Sequence, residues 1–469
     1  MKSYLNKIFL LIFTGMALFQ SCSIDDIRPQ NQLTDENVIR DEESAQFALN
    51  GVYRQWRAYE LGLFPLHLAA SGNEGVFTGS VVGSSGMNTN EVTAENSFLA
   101  NIYNQYYSII NEANILISKL ESGAVEGIDE VRIKELVAQG KFNRALSYFG
   151  LLRNFGQFYD LNSSYGVVIR TEFSNDVYTA NRNTVAEVYE LIISDLQYAA
   201  ESGPSNVAHY YGGSLAANAL LAKVLMYVQR YDEAAELAFE VINNDQGYLL
   251  ESTFEEVFTN TYNSSEVIFA PYTIVGSEGD VSMDQINRTN YSNILAAIAD
   301  EQVDGSGDLS GNGKGYDPRF TYAYSEYTRG INNQGKYPFN TNAASGKGNT
   351  NYHLRLAELY LIYAESILRA DNNYEAALWA INILRDRAGV SPIEFTTNEG
   401  LLAAVRSEKL LELFFENGES WFDLIRYHEL GNTNAFEEKL SLKNEDQFIL
   451  PLPLSALAGN NELIQNPGY

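Results

Sequence analysis

The chain has 469 residues, 45% of them hydrophobic, enough to fill one large core or two or three ordinary ones. Its 60 Asp+Glu outnumber 31 Lys+Arg, for a formal net charge of −29. Such a field repels phosphate backbones and offers no basic footprint, so nucleic acid is not expected as a partner. The acids are spread along the chain, which makes them a solvated surface and not an interaction tail.

The N-terminus, "MKSYLNKIFLLIFTGMALFQSC", places Lys2 and Lys7 before an apolar run from Ile8 to Phe19, then Ser21 before Cys22. That is the order of a secretory signal, read over residues 1–21. An apolar run of about a dozen residues is too short to span a bilayer, and no later stretch reaches the roughly 18 a spanning helix needs. Cys22 is the chain's one cysteine and has no partner for an intramolecular disulfide. Phe19-Gln20-Ser21-Cys22 resembles a bacterial lipobox, in which the cysteine becomes the acylated first residue. Cys22 is therefore expected to carry the lipid, with residues 22–41 as a tether and the anchor as the protein's one membrane contact. Ser23-Ile24-Asp25-Asp26 resembles the acidic surface-export signal of Bacteroidetes lipoproteins.

Helical periodicity dominates the remainder of the chain. "ESAQFALNGVYRQW" (43–56), with Phe47, Val52 and Tyr53, and "IYNQYYSIINEANILISKL" (102–120) predict core-facing helices. The Gly-, Ser- and Asn-rich stretch 62–100 between them predicts an irregular loop. Helices resume at 129–156 and 185–200. In 219–242, Ala222, Tyr231, Ala234, Ala238 and Val241 fall at the small, aromatic and apolar positions of a tetratricopeptide helix pair. Ala364, Tyr374, Ala377, Ile381 and Leu384 repeat the pattern in 354–389, with a loop one residue longer. The 354–368 helix is apolar on two faces, Leu354, Ala357, Leu361 and Ala364 against Leu356, Tyr360, Tyr363 and Ile367, so it must be sandwiched. Between the repeats lies a second irregular region, 260–350, rich in Gly and Tyr. The fold class is mainly α: irregular tetratricopeptide-like helix pairs with long loops carrying short strands.

Glu408, Glu412 and Glu416 share one helical stripe and need cations to answer them. Arg385, Arg387, Arg406, Lys409 and Arg426 are at hand for a structural ion network.

Several segments in order resemble the SusD/RagB family of Bacteroidetes surface lipoproteins. These are "YYSIINEANILI" (106–117), "GKFNRALSYFGLLRNFG" (140–156), "YHLRLAELYLIYAESI" (352–367), "AINILRDRAG" (380–389), "RSEKLLELFFENGESWFDLIRY" (406–427) and the terminal "ILPLPLSALAGNNELIQNPGY". The chain departs from the family at Gln157-Phe158-Tyr159-Asp160-Leu161, where an Asp-x-Pro-Leu turn is usual, and at Ser420, near which Arg is common. The resemblance divides the mature chain into an N-terminal SusD-like region, 42–260, and a C-terminal RagB/SusD region, 261–469. It implies a lipoprotein on the outer face of the outer membrane that binds a nutrient, an oligosaccharide or glycan, and delivers it to a SusC-like TonB-dependent transporter. The alternatives are a peptide-binding RagB-type lid and a tetratricopeptide-type scaffold that binds only protein partners.

No covalent chemistry is expected. His67, His209, His353 and His428 are scattered without metal-ligand spacing, and no nucleophile elbow or phosphate loop is present. No cofactor or metal is called for. Calcium at Asp304, Asp308, Asn312 and Asp317 is the one alternative, and a spacing of four or five is not that of an EF-hand.

A surface that binds sugar pairs aromatic rings with Asn, Asp, Glu or Arg. The first loop region offers Asn73, Glu74 and Phe77; the second offers Tyr291, Tyr316, Tyr322, Tyr324 and Tyr327, of which 322 and 324 could alternate along a strand. Trp56, Trp379 and Trp421 all fall in predicted helices or motif segments, leaving no tryptophan free in a loop as a stacking platform.

Overall fold

Asp41 starts the first helix with a reciprocal cap, its carboxylate accepting from the Ser44 amide at 2.9 Å while Ser44 Oγ accepts from the Asp41 amide at 3.0 Å. The structure is a computed structural model that describes residues 39–469 apart from 77–84, 124, 174–178, 275–289, 302, 304, 306, 308–314, 324–334 and 340–345. Arg40–Tyr469 forms one unit.

In chain order the helices are α1 (Glu42–Gln55), α2 (Tyr59–Ser71), α3 (Ser97–Glu121), α4 (Glu130–Phe155), α5 (Val185–Ser202), α6 (Ser214–Tyr227), α7 (Tyr231–Ile242) and α8 (Phe254–Asn260). They continue as α9 (Asn293–Glu301), α10 (Pro318–Ala323), α11 (Leu356–Asp371), α12 (Tyr374–Ala388), α13 (Asn398–Leu413), α14 (Glu419–Glu429), α15 (Ala435–Glu438) and α16 (Leu454–Gly459). Two small antiparallel sheets pair β1 (Gly75–Val76) with β3 (Asn290–Tyr291), and β2 (Val267–Phe269) with β4 (Leu354–Arg355). Among the described residues no helix is long and apolar enough to cross a membrane.

The frame is a row of helices, α3 on α4, α4 on α5, α5 on α6 and α6 on α7. Small residues set the close approach of the repeat helices: Ala222, Ala234 and Ala238 are fully buried in one pair, Ala364 and Ala377 in the other. α11 is sandwiched as its two apolar faces require, with α6 and α7 on one side and α12 and α13 on the other. Asn372, at φ 53, ends α11 in the left-handed conformation Asn tolerates, and Asn373 caps α12 by accepting from the Ala376 amide.

Several expectations need correction. Residues 62–71 are helix α2, not loop; Leu61, Leu63, Phe64, Leu66 and Leu68 are buried, so the apolar run there is core. Of the three residues expected inside on α1, Val52 and Tyr53 are buried, with Ala45 and Leu49, but Phe47 is 64% exposed. Leu354 belongs to β4, one residue pair before α11 begins. Tyr374 stands at the surface, its ring tilted against Phe395 at 4.3 Å. The second irregular region contains α9 and α10, and Tyr322 lies on α10, not on a strand.

Candidate functional site

Glu408 and Glu412 share a face of α13, but the helix ends at Leu413 and Phe415 turns at φ 59, so Glu416 joins them from beyond the helix and not from the same helical stripe. Glu412 accepts from Arg355 at 2.6 Å, from Arg319 at 3.0 Å and from Arg387. Glu408 accepts from Arg319 and Arg385, and Glu416 from Arg355 and Lys336. Of the expected cations, only Arg385 and Arg387 reach these glutamates. Arg406 pairs with Glu438, Lys409 with Asp423, and Arg426 with Glu365 and Asp423. Arg319, Lys336 and Arg355 take the other places, drawn from the second loop region and β4. Asp317, once a calcium candidate, is buried and chelates Arg319 from both oxygens; Asp304, Asp308 and Asn312 lie outside the described residues. These carboxylates are buried and paired with cations that tie separate segments together.

The two loop regions meet at β1 and β3, where Gly75 pairs with Tyr291 and the Ser292 amide donates to the Glu74 carbonyl at 3.0 Å. Gly72 allows this joint to seat on the start of α14, because a Cβ there would strike Ser420 Oγ and the Trp421 amide nitrogen. Glu74 is 1% exposed and accepts from Ser420 Oγ and the Phe415 amide. Burial pushes its carboxyl up to about 7 against the lowering effect of those bonds. Glu74 is thus a clasp, not a surface ligand. Asn73, at φ 61, donates to the Glu438 carbonyl at 2.7 Å and stands on the rim of a cavity of about 500 Å³. Ile294, Ile298, Ala403, Leu410 and Leu424 wall that cavity beside Arg406, Asp423 and Glu438, and among the described residues no aromatic ring lines it.

The remaining predicted residues divide. Tyr322 is half-buried, its ring against Phe254 and Phe258, and its hydroxyl donates to the Gly335 carbonyl at 2.9 Å. Tyr316 lies 5.1 Å from Phe320 and is half-buried. Tyr291 is in β3. Cys22, Phe77, Tyr324 and Tyr327 lie outside the described residues.

Aromatic rings come together elsewhere. Tyr210 and Tyr211 sit between α5 and α6, Tyr262 in the turn after α8, and Tyr272 just past β2. The Tyr210 ring lies 4.8 Å from Tyr211, 5.7 Å from Tyr262 and 5.3 Å from Tyr272, and Tyr262 lies 5.2 Å from Tyr272. Tyr272 is 39% exposed and the others half-buried. Tyr211 is pinned by its hydroxyl, which donates to Asn50 at 3.0 Å, and the Ala270 amide donates to the His209 carbonyl at 3.0 Å, tying the two tyrosine segments. The Arg57 guanidinium stands 5.9 Å from the Tyr272 ring, and its Nε meets no acceptor among the described residues. Thr261, at φ 56 and ψ −137, holds a backbone region close to glycine's own immediately before Tyr262. Sequence reading passed over this platform; the doublet Tyr210-Tyr211 ahead of Gly212-Gly213 was its one local signal.

Trp56 and Trp421 are buried, but Trp379 is 41% exposed on α12 beside Phe239, Tyr360 and Tyr363. A helical position did not hide that ring.

Stacked helix pairs bearing a loop-borne aromatic surface define a helical-repeat protein. The model of the SusD family matches residues 287–469, and one described as "Starch-binding associating with outer membrane" matches 36–226. The chain is 26% identical over 522 residues to SusD-like protein P2 of Formosa agariphila, covering all of both chains. A SusD superfamily protein of Bacteroides thetaiotaomicron superposes with a TM-score of 0.74 at 23% identity, over 91% of this chain and 100% of that one. A laminarin-binding SusD-like protein superposes at 0.70 with 22% identity, over 92% and 100%. With SusD-type models matched over 36–226 and 287–469, the chain belongs to the SusD family.

Proposed function

We propose that this protein is a non-enzymatic, lipid-anchored binding subunit on the outer face of the outer membrane, where it captures a glycan and passes it to a SusC-like TonB-dependent transporter. The observation that carries the binding half is the tyrosine platform of Tyr210, Tyr262 and Tyr272 beside Arg57. Aromatic faces accept the C–H faces of sugar rings, while tyrosine hydroxyls and a guanidinium serve the ring hydroxyls. A laminarin-binding relative of the same fold supports a glycan as the ligand class. The anchor rests on Cys22 behind its signal segment, and the transporter on the family.

Calorimetry with a series of oligosaccharides tests the capture step: binding that weakens in Tyr272→Ala supports it, and no heat from any glycan removes it. Loss of radiolabelled palmitate and of membrane association in Cys22→Ser tests the anchor. A second reading, peptide capture, is favoured by the cavity beside Asn73, whose aliphatic walls suit an apolar side chain better than a sugar ring. Filling that cavity with Ala403→Trp separates the two, since it should abolish peptide binding and spare glycan binding.

A further inference from the structure

Helix α2 carries Pro65 in its interior. Proline has no N–H to give the carbonyl four residues back, so the Leu61 carbonyl loses its helical donor. Asn351 Nδ2 points at that oxygen from 3.5 Å, across from the segment that enters β4. Leu61 and Pro65 line a small cavity of about 40 Å³ whose polar lining includes Arg153, Asn154, Asn351 and His353.

Each of these four side chains has a buried atom that meets no partner among the described residues: Arg153 Nε, Asn154 Oδ1, Asn351 Oδ1 and His353 Nε2. Arg153, Asn154 and Asn351 are 9%, 3% and 8% exposed. Leaving one such atom unmet in a protein interior is costly, and four around one cavity is a pattern. Neighbouring bonds fix which atoms are left over. Asn154 Nδ2 donates to the Gly150 carbonyl at 2.8 Å, and Asn351 Nδ2 is turned to Leu61, so both amides have oxygen to spare. Arg153 Nη1 donates to Glu419 at 2.7 Å and to the Tyr227 hydroxyl at 3.3 Å, while the buried Nε–H meets no acceptor among the described residues. His353 is neutral, its imidazole brought down to about 3 by burial and then by Lys223 and Arg153, so Nε2 donates or accepts according to tautomer.

We propose that this cavity is a built site for ordered water, one or two molecules that bridge α2, α4 and the segment entering β4. The donor and acceptor pattern selects the ligand. An anion would face two amide oxygens, and a cation would face the Arg153 guanidinium. Water donates to Asn154 Oδ1 and Asn351 Oδ1 and accepts from Arg153 Nε–H, with His353 completing its set. The volume exceeds the roughly 10–15 Å³ that one water requires. Solvent held there lets α2 keep a proline in mid-helix while staying polar-bonded to two other elements. This inference is independent of which ligand the protein captures.

High-resolution crystals of the chain from Ser23 onward, which retain the whole Arg40–Tyr469 unit, test it directly. A density peak within hydrogen-bonding distance of at least three of the four atoms is expected, with xenon excluded from the cavity under pressure. Xenon in the cavity, an anomalous peak there after a bromide soak, or a cavity closed by rotated side chains would overturn the proposal. Asn351→Leu should lose the peak and lower the thermal midpoint by roughly 2–4 °C. An unchanged midpoint counts against the site. If that variant does not fold, the parent crystals decide.

Discussion

Arg355 grips Glu412 in two places, Nη1 donating to the carboxylate at 2.6 Å and Nη2 to the backbone carbonyl at 2.6 Å. One side chain thereby joins the β4–α11 junction to the last turn of α13. Its remaining donors reach Glu266 beside β2 and Glu416 past the end of α13, so three separate segments close on a single guanidinium. All of these groups are buried. Burial would raise the Glu412 carboxyl, but Arg387, Arg355 and Arg319 outweigh it and hold the group well below the ordinary carboxylate range.

Truncating Glu412 should therefore be far costlier than losing a surface pair. Glu412→Ala leaves three guanidiniums short of an acceptor, and a loss of about 3–5 kcal/mol is expected. Urea denaturation checks it, with Glu233→Ala as a control. The exposed Arg230–Glu233 pair should move stability by no more than about 1 kcal/mol.

Glu74 makes stability depend on pH in one direction. Its carboxyl titrates near 4.5 when unfolded and, raised by burial, near 7 when folded. Between those values the folded protein keeps a proton the unfolded chain has released. The contribution is fullest below about 4.5 and is lost as pH rises to about 7. Thermal melts of the parent and Glu74→Gln across that window should differ by an amount that shifts steadily against the parent as pH rises. A constant difference would show that Glu74 does not titrate there.

Gly72 is the contact point of α2 with α14. Gly72→Val puts a branched side chain into Ser420 and the Trp421 backbone, and a cost of about 1–3 kcal/mol is expected from overpacking. Because that joint carries Asn73, the substitution should also disturb the adjacent cavity, which a crystal structure of the variant would report. Gly123→Val, at a glycine with nothing near its missing Cβ, is not a clean control, since its φ of 69 is itself glycine-like. Gly459→Ala is the better one, being unobstructed without that strain.

The helical frame was legible because burial imposes a period on sequence. Ala222, Ala238, Ala364 and Ala377 carry the repeat in their size alone, and all four are buried. Helix α2 was not legible for a related reason. "LGLFPLHLAA" is apolar on every side because it is enclosed on every side, so it shows no period, and Pro65 reads as a break. The ion network was half legible. The spacing of four places Glu408 and Glu412 together on α13 but not Glu416, which lies past the helix end, and which cations answer them depends on where Arg319, Lys336 and Arg355 arrive in space. The site was the least legible part. Tyr322 and Glu74 have the composition of a binding loop, yet their partners are interior ones. Tyr210, Tyr262 and Tyr272 come from three separate segments that only the fold brings within 6 Å.

The platform tyrosines and Tyr322, whose hydroxyl and ring are held by other parts of the fold, should behave oppositely. Tyr322→Ala should lower stability with little change in ligand affinity, because its ring fills space between Phe254 and Phe258. Tyr262→Ala should do the reverse, weakening glycan binding by about tenfold, or about 1.4 kcal/mol, with a smaller effect on the melt. Paired melting and binding curves for the two variants check both halves.

The central claim is that this family member captures glycan on the platform of Tyr210, Tyr262 and Tyr272 with Arg57. The most direct measurement is titration calorimetry of the chain from Ser23 onward with β-glucan and α-glucan oligosaccharides, run in parallel on the parent and on Tyr210→Ala/Tyr272→Ala. Saturable binding of at least one glycan by the parent is predicted, with its loss in a double variant that still folds. Glycan binding of equal affinity in both proteins would place the site elsewhere and contradict the claim.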